Sequence, residues 1–371
     1  MEGFSPSTLL CFTPPAHSES AYRKSVSAFP AMSGMPASSR GGSSTVARTT
    51  RTGDRRKAVL GGVVAAALGA GTLSPAASAA PVTSGASASP GMVGWATQGG
   101  GTTGGGSAAA TTVNSASALV TAAAGTNPAV IRVSGTITCS DMVRVGSNKT
   151  IVGNTGATIV GCGLHVRRAA NVIIRNLTFR GWNDDAVSVE GSTRVWVDHN
   201  TMSNGYDGAI DIKHASDYVT VSWNHIFDHD KAMLLGHSDD NGAADTGHLR
   251  VTYHHNRLET VQRNPRVRFG NPVHVYNNYY VANPGYGVAS TENAGVLVEG
   301  NYFENVPDPF HRGEGSSDPG NLVARGNHLV NSGPGDQGGA VAAIPYPYAM
   351  DPAADVKSIV IAGAGTGKIT P

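Results

Sequence analysis

From Val172 onward the chain repeats one motif: a short run of apolar, mostly β-branched positions, then one or two polar residues, then asparagine. VIIRN ends at Asn176, VWVDHN at Asn200, VTVSWN at Asn224, VTYHHN at Asn256, VHVYNN at Asn278, VLVEGN at Asn301 and VARGN at Asn327. The intervals are 24, 24, 32, 22, 23 and 26 residues, and the long one contains the insertion GHSDDNGAADTGH. A period near 23 that keeps one residue type in register marks a solenoid. The other runs in each repeat, such as AVSVEG, AIDIKH and RVRFGN, are also short and β-branched, with Gly, Asn, Ser or Asp between them. No repeat carries a helical period. The pattern predicts an all-β chain, a single-stranded parallel β-helix with two or three short strands per coil.

Coils stacked about 4.8 Å apart bring the same position of every repeat into a column. An asparagine facing inward at each bend can both donate to and accept from its neighbour, and its tolerance of left-handed backbone suits the bend. The column is therefore expected to be structural, with Asn200 as one of its rungs. Ahead of the repeats, TTVNSASALVTAAAG (111–125) predicts a short N-terminal helix stopped by Gly125, capping the open end of the solenoid. The tail from Pro345 is expected to pack back along the outside. Its GAGTGKIT departs from a phosphate-binding loop at Ala362 and Ile369, and it is read as a flexible terminus.

The first 79 residues read differently. Residues 1–50 are rich in Ser, Pro, Ala and Gly. Arg55-Arg56, an apolar run from Ala58 and the tripeptide Ala77-Ser78-Ala79 then form a twin-arginine-like export signal. The run is too short and too rich in Gly and Ala to span a bilayer. Met32 or Met35 is the candidate true start, so residues 1–31 are candidates for being untranslated. This predicts a leader over 1–79 and one domain over 80–371, secreted, extracellular and free of any membrane. Eight of the 27 basic and three of the 26 acidic residues lie in the leader, leaving a net charge of −4, which argues against nucleic acid as a partner. Cys139 and Cys162 stand 23 residues apart, one coil, and a disulfide between neighbouring coils is expected of an exported chain.

Some polar residues are not needed by the scaffold. If Ile210 and Ile212 face the core, Asp211 and Lys213 face out, and Asp207 projects on the same side. Aligning apolar pairs sets Val267 and Phe269 beneath Ile210 and Ile212, so that Arg268 falls in the column of Asp211. Asp185 enters at the corresponding corner one coil earlier. The predicted face carries Asp185, Asp207 and Asp211, with Lys231, Arg263 and Arg268 just beyond. Three carboxylates on a stiff face suit a hard cation such as Ca²⁺, which takes oxygen ligands at about 2.3–2.6 Å. Adjacent cations suit a carboxylate ligand, and the combination suits a polyanion that bridges both.

The segments WVDHN, DGAIDIKHASDYVTVSWNHIFDHDKAMLLGHSD, VTYHHN and RNPRVRFGNPVHVYNNYY resemble the motifs of extracellular pectate lyases of polysaccharide lyase family 1. The likeness covers roughly residues 91–355. It implies a right-handed parallel β-helix acting as a monomer and cleaving polygalacturonate, an acidic plant cell-wall polysaccharide, by Ca²⁺-dependent β-elimination. Carried over by motif, Asp185, Asp207 and Asp211 would be metal ligands and Arg263 of the Arg-x-Pro motif the catalytic base. Lys231 and Arg268 would hold the substrate carboxylate. Two departures stand out: Asn183 occupies a position where many members have a further metal-binding Asp, and Asp207 replaces a common Glu. Both keep an oxygen donor while weakening the site without substrate. The proton donor to the leaving oxygen is not identified by sequence, and water is the default.

Rival readings are weaker. Pectin lyases, which act on methyl-esterified chains, replace the metal by a cationic side chain, and the acids retained here favour the pectate type. A glycoside hydrolase could use Asp184-Asp185 within a carboxylate set, and the product tells the two apart, since a lyase leaves an unsaturated sugar and a hydrolase does not. A non-catalytic glycan-binding β-helix would need no Arg263. The many histidines, among them His199, His225, His229, His254 and His255, scatter over different columns and form no zinc motif on a predicted helix.

Overall fold

Residues 91–371 are described by a computed structural model; the predicted leader and its cleavage site lie outside the described residues. The chain winds as a parallel β-helix whose strands stack into sheets of ten, eight and nine strands. One coil shows the plan. Thr193–Asp198 joins the ten-stranded sheet, Thr201–Ser203 the nine-stranded sheet and Ile210–Lys213 the eight-stranded sheet. Alternate side chains point inward: Val195, Val197, Met202, Ile210 and Ile212 are all fully buried. Parallel pairing stacks like on like, as in Val195 on Val219 on Val251. The interior is therefore a set of aliphatic columns, and the outward positions are left free for chemistry. Among the described residues no helix is long and apolar enough to cross a membrane.

The asparagine ladder runs through the tight bend between the ten- and nine-stranded sheets. Oδ1 of Asn224 accepts both the backbone N–H and the side-chain amide of Asn200, each at 3.0 Å. The same pair of bonds links Asn224 to Asn256, Asn256 to Asn278, Asn278 to Asn301 and Asn301 to Asn327. Each amide also donates to a carbonyl of the previous coil, Ile174 in the case of Asn200. Two details differ from the sequence reading. The left-handed residue is the one before the ladder position: His199, Trp223, His255 and Asn277 have φ near 50°, as does Asn176 at 57°. Asn176 therefore sits in the column of His199 and is not a rung. Leu177 takes the place in the ladder column one coil before Asn200, and its N–H donates to Asn200 Oδ1 at 3.0 Å.

Both ends are closed. The capping helix is only Ala116–Ala123, started by Ser115, whose hydroxyl accepts from the N–H of Ala118, and it buries Leu119 and Ala123. The β-branched Thr111, Thr112 and Val113, predicted to be helical, instead belong to the strand Ala110–Val113 at the edge of the ten-stranded sheet. The tail is not a flexible terminus. A helix at Val356–Gly363 buries Val356 and Val360 against Tyr279. Beyond it Gly365, Thr366 and Gly367 donate their N–H groups to Trp223 O, Thr201 Oγ1 and Asn176 Oδ1. These backbone contacts lay the tail flat on the outer wall. Cys139 and Cys162 form a disulfide between neighbouring coils, with Cα atoms 5.4 Å apart.

Candidate functional site

The bends leading into the eight-stranded sheet vary in length, and they carry the outward-facing charged residues. Successive bends are stacked by backbone hydrogen bonds: Asp207 N to Asp184 O at 3.0 Å, Ala209 N to Lys231 O at 3.1 Å and Met233 N to Arg263 O at 2.7 Å. Asp184 and Asp185, then Asp207, then Lys231, then Arg263 thus occupy four consecutive coils. Arg263 stands two coil steps, roughly 10 Å, beyond Asp207.

Oxygens of Asp184, Asp185 and Asp207 lie within 4.8 Å of one another. Asp185 is buried, Asp207 half-buried and Asp184 exposed. Asp185 Oδ1 is buried without a hydrogen-bond partner, while its Oδ2 accepts from Lys213 Nζ at 2.8 Å. Lys213 also reaches Asp211 Oδ2 at 3.5 Å, and Asp211 Oδ1 accepts from Leu234 N at 3.3 Å. Asp211 is thus engaged by Lys213 and Leu234 N, while Asp184 joins Asp185 and Asp207 in the close group of carboxylates. The alternating face of the strand explains this: Asp211 lies on the sheet itself, whereas Asp184, Asp185 and Asp207 lie on the bends. Asn183 is exposed and its amide donates to Ser140 O.

The electrostatics follow from the crowding. Burial, with Asp185 adding to it, pushes Asp211 up to about 7 against the pull of Lys213 and Arg263. Burial likewise raises Asp185, opposed by Lys213. Burial alone would lower Lys213, but Asp211 and Asp185 outweigh it and hold the ammonium above its ordinary value. Four carboxylates and the three cations Lys213, Lys231 and Arg263 leave the cluster short of positive charge. An unpartnered buried carboxylate oxygen beside two further oxygen donors fits a hard divalent cation.

The cations divide by partner. Lys231 Nζ pairs with Asp207 Oδ1 at 3.0 Å. Arg263 is half-buried, its Nε is buried without a partner, and its guanidinium makes no hydrogen bond among the described residues. Arg268 does not lie in the column of Asp211. Leu235 pairs with Val267 and Leu234 with Arg266, so Arg266, not Arg268, lies in the column of Asp211. Phe269, with φ 59°, ends the strand in left-handed backbone and is no inward strand position, which shifts the register by two. Arg268 is 8% exposed and is bound to Asp239 Oδ1 at 2.5 Å and Gly236 O at 3.2 Å. Ser317 hydroxyl donates to Asp239 and accepts from Arg266 Nη2 at 2.7 Å. The insertion between Asn224 and Asn256 thus supplies the partner that seats Arg268. Lys213, Arg266 and Asp239 were missed as site residues; the alternation that turns Asp211 away from the core was the available signal for Lys213.

The pectate lyase family model matches residues 62–369. Probable pectate lyase A of Aspergillus flavus is 42% identical over 257 residues, covering 66% of this chain and 78% of that protein. Pectate lyase A of Aspergillus niger is 40% identical over 258 residues, with 66% and 78% covered. Among solved structures, a pectate lyase from Bacillus sp. N165 in complex with trigalacturonate aligns with a TM-score of 0.70 and 30% identity, over 76% of this chain and 100% of that one. Pectate lyase II from Xanthomonas campestris aligns with a TM-score of 0.64 and 29% identity, over 75% and 99%.

Proposed function

Because the chain belongs to the pectate lyase family, we propose that it is a secreted, Ca²⁺-dependent enzyme that cleaves de-esterified polygalacturonate by β-elimination, releasing unsaturated oligogalacturonides. The observation that carries this reading is an unpaired arginine, Arg263, two coils from a carboxylate cluster whose buried Asp185 Oδ1 lacks a partner. Asp184, Asp185 and Asp207 would hold the cation, with Asp211 entering if Lys213 gives way. Bound there, Ca²⁺ supplies positive charge against a uronate carboxylate, which makes the adjacent C5 proton more acidic.

Arg263 takes that proton. The C5–H electron pair becomes the C4–C5 double bond, the C4–O bond breaks, and the departing oxygen takes a proton from water. Lys231, on the coil between the carboxylates and Arg263, meets the substrate carboxylate from the other side. Arginine acts as a base only in its rare neutral form, so turnover should rise toward alkaline pH. Arg268, held by Asp239, acts in this reading as a positioning residue for the insertion loop. The leader motif around Arg55-Arg56 supports export.

The test is ultraviolet absorbance during incubation with polygalacturonate. A rise with Ca²⁺ that stops on chelation and returns on adding Ca²⁺ supports the reading. New reducing ends without absorbance would make the protein a hydrolase.

A further inference from the structure

Beside the carboxylate cluster lies a feature the proposed chemistry does not use. Tyr206, next to Asp207, is 81% exposed, whereas the next most open large apolar side chain among the described residues, Val120, is 49% exposed. The ring stands at the rim of an open notch of about 420 Å³ lined by Gly181, Trp182, Asn183, Asn204, Gly205 and Tyr206 itself. None of these side chains is charged.

The loop that presents the ring is held firmly. Tyr206 N donates to Trp182 O at 2.9 Å and Asp207 N to Asp184 O at 3.0 Å. Asp207 O accepts from His229 Nε2 at 2.7 Å and from the Trp182 indole at 3.4 Å. Gly205 lies flat on the indole, where a Cβ would come within 1.7 Å of the ring. An aromatic ring on a fixed backbone loses little conformational entropy when something covers it, and its apolar face is costly to leave in water.

We infer that the exposed ring of Tyr206, on a loop seated against the buried Trp182, forms a sugar-stacking subsite for the galacturonate ring next to the one held at the carboxylate cluster. This rests on the polygalacturonate reading above. One face of a pyranose ring presents C–H bonds, which pack against an aromatic face. Because the notch offers no cation, it reads the ring and not the carboxylate, so it takes an acid or a methyl-esterified residue equally well. The subsite therefore sets tolerance of partial esterification, while the acids and Arg263 demand a free carboxylate at the cleavage position.

The experiment measures oligogalacturonate binding by calorimetry with Ca²⁺ present, and KM and kcat on unesterified and partly esterified polymer, for the parent, Tyr206→Ala and Tyr206→Phe. Tyr206→Ala is expected to weaken binding and raise KM about five- to tenfold on both polymers, with kcat nearly kept, the scale of one aromatic contact. Tyr206→Phe restores both, and the Ca²⁺ concentration giving half-maximal activity is the same in all three. Unchanged binding by Tyr206→Ala overturns the inference. So does a Tyr206→Phe protein as impaired as the alanine variant, or a shifted Ca²⁺ midpoint, which would mean that the residue acts through Asp207. A parent that binds oligogalacturonate but yields no unsaturated ends would overturn the lyase reading alone, since the stacking result is read from binding.

Discussion

Replacing Asn200 by alanine removes a rung of the ladder and shows what the ladder contributes. Three bonds end on this side chain: Oδ1 accepts from Leu177 N, and Nδ2 donates to Ile174 O and to Asn224 Oδ1, at 3.0–3.1 Å. Asn224 Oδ1 keeps its bond from Asn200 N, so it is not stranded. Leu177 N–H and Ile174 C=O lose this partner in a place water does not reach, since Asn200 is fully buried. At roughly 1–3 kcal/mol for each group left unsatisfied, Asn200→Ala should cost about 2–6 kcal/mol. Asn200→Asp keeps the acceptor for Leu177 but turns an oxygen toward Ile174 O and Asn224 Oδ1, so it must bury a charge or hold a proton. It should be the worse variant at neutral pH and partly recover on acidification. Urea unfolding followed by circular dichroism measures both costs, and product absorbance per folded molecule should remain close to parent. An Asn200→Ala protein within about 0.5 kcal/mol of parent, or one equally stable but inactive, would show that the ladder does not hold the fold in this way.

Two further predictions follow from the charged clusters. Lys213→Met removes the ammonium that lies 2.8 Å from Asp185 and 3.5 Å from Asp211. It should tighten calorimetric Ca²⁺ binding without substrate by at least about tenfold, well inside the Coulomb energy of such neighbours; equal or weaker binding would contradict it. Glu299 is fully buried, and although burial would raise it, hydrogen bonds from His274, Arg325 and Tyr348 pull it down to about 2. Its folded value lies below the unfolded one, so the stabilisation is complete above about pH 4.5 and is lost as pH falls from there toward 2, up to about 3 kcal/mol. Glu299→Gln should flatten the parent's loss of stability in that window, and parallel curves would show the carboxylate to be irrelevant.

Much of the architecture could be read from the chain because a solenoid writes its period directly into sequence. Each coil must bury the same face on the last, so Asn224, Asn256, Asn278 and Asn301 recur at one place and the aliphatic columns follow. What could not be read depends on single residues changing backbone state. Asn176 is indistinguishable in sequence from a rung, yet it occupies the left-handed position one residue earlier. Phe269 looks like an inward strand residue, and its left-handed backbone moved Arg268 out of the column of Asp211 and left Arg266 there. Asp239 arrives from an insertion with no periodic signal, and so does its bond to Arg268. The tail's GAGTG carries no side chain to mark its docking, because the contacts it makes at Gly365, Thr366 and Gly367 are through backbone N–H groups.

In the proposed reaction everything turns on whether Arg263, unpaired near the carboxylate cluster, takes the C5 proton. Lysine there keeps the positive charge but loses the planar fork and moves the nitrogen. The direct measurement is the single-turnover rate of Arg263→Lys saturated with oligogalacturonate and Ca²⁺, with binding checked by calorimetry on the same preparation. Arg263→Lys is expected to bind nearly as the parent does and to turn over at least about a hundredfold more slowly, the scale of losing a positioned base. A variant that binds and turns over like the parent would remove Arg263 from the chemistry and leave Lys231 as the next base to test.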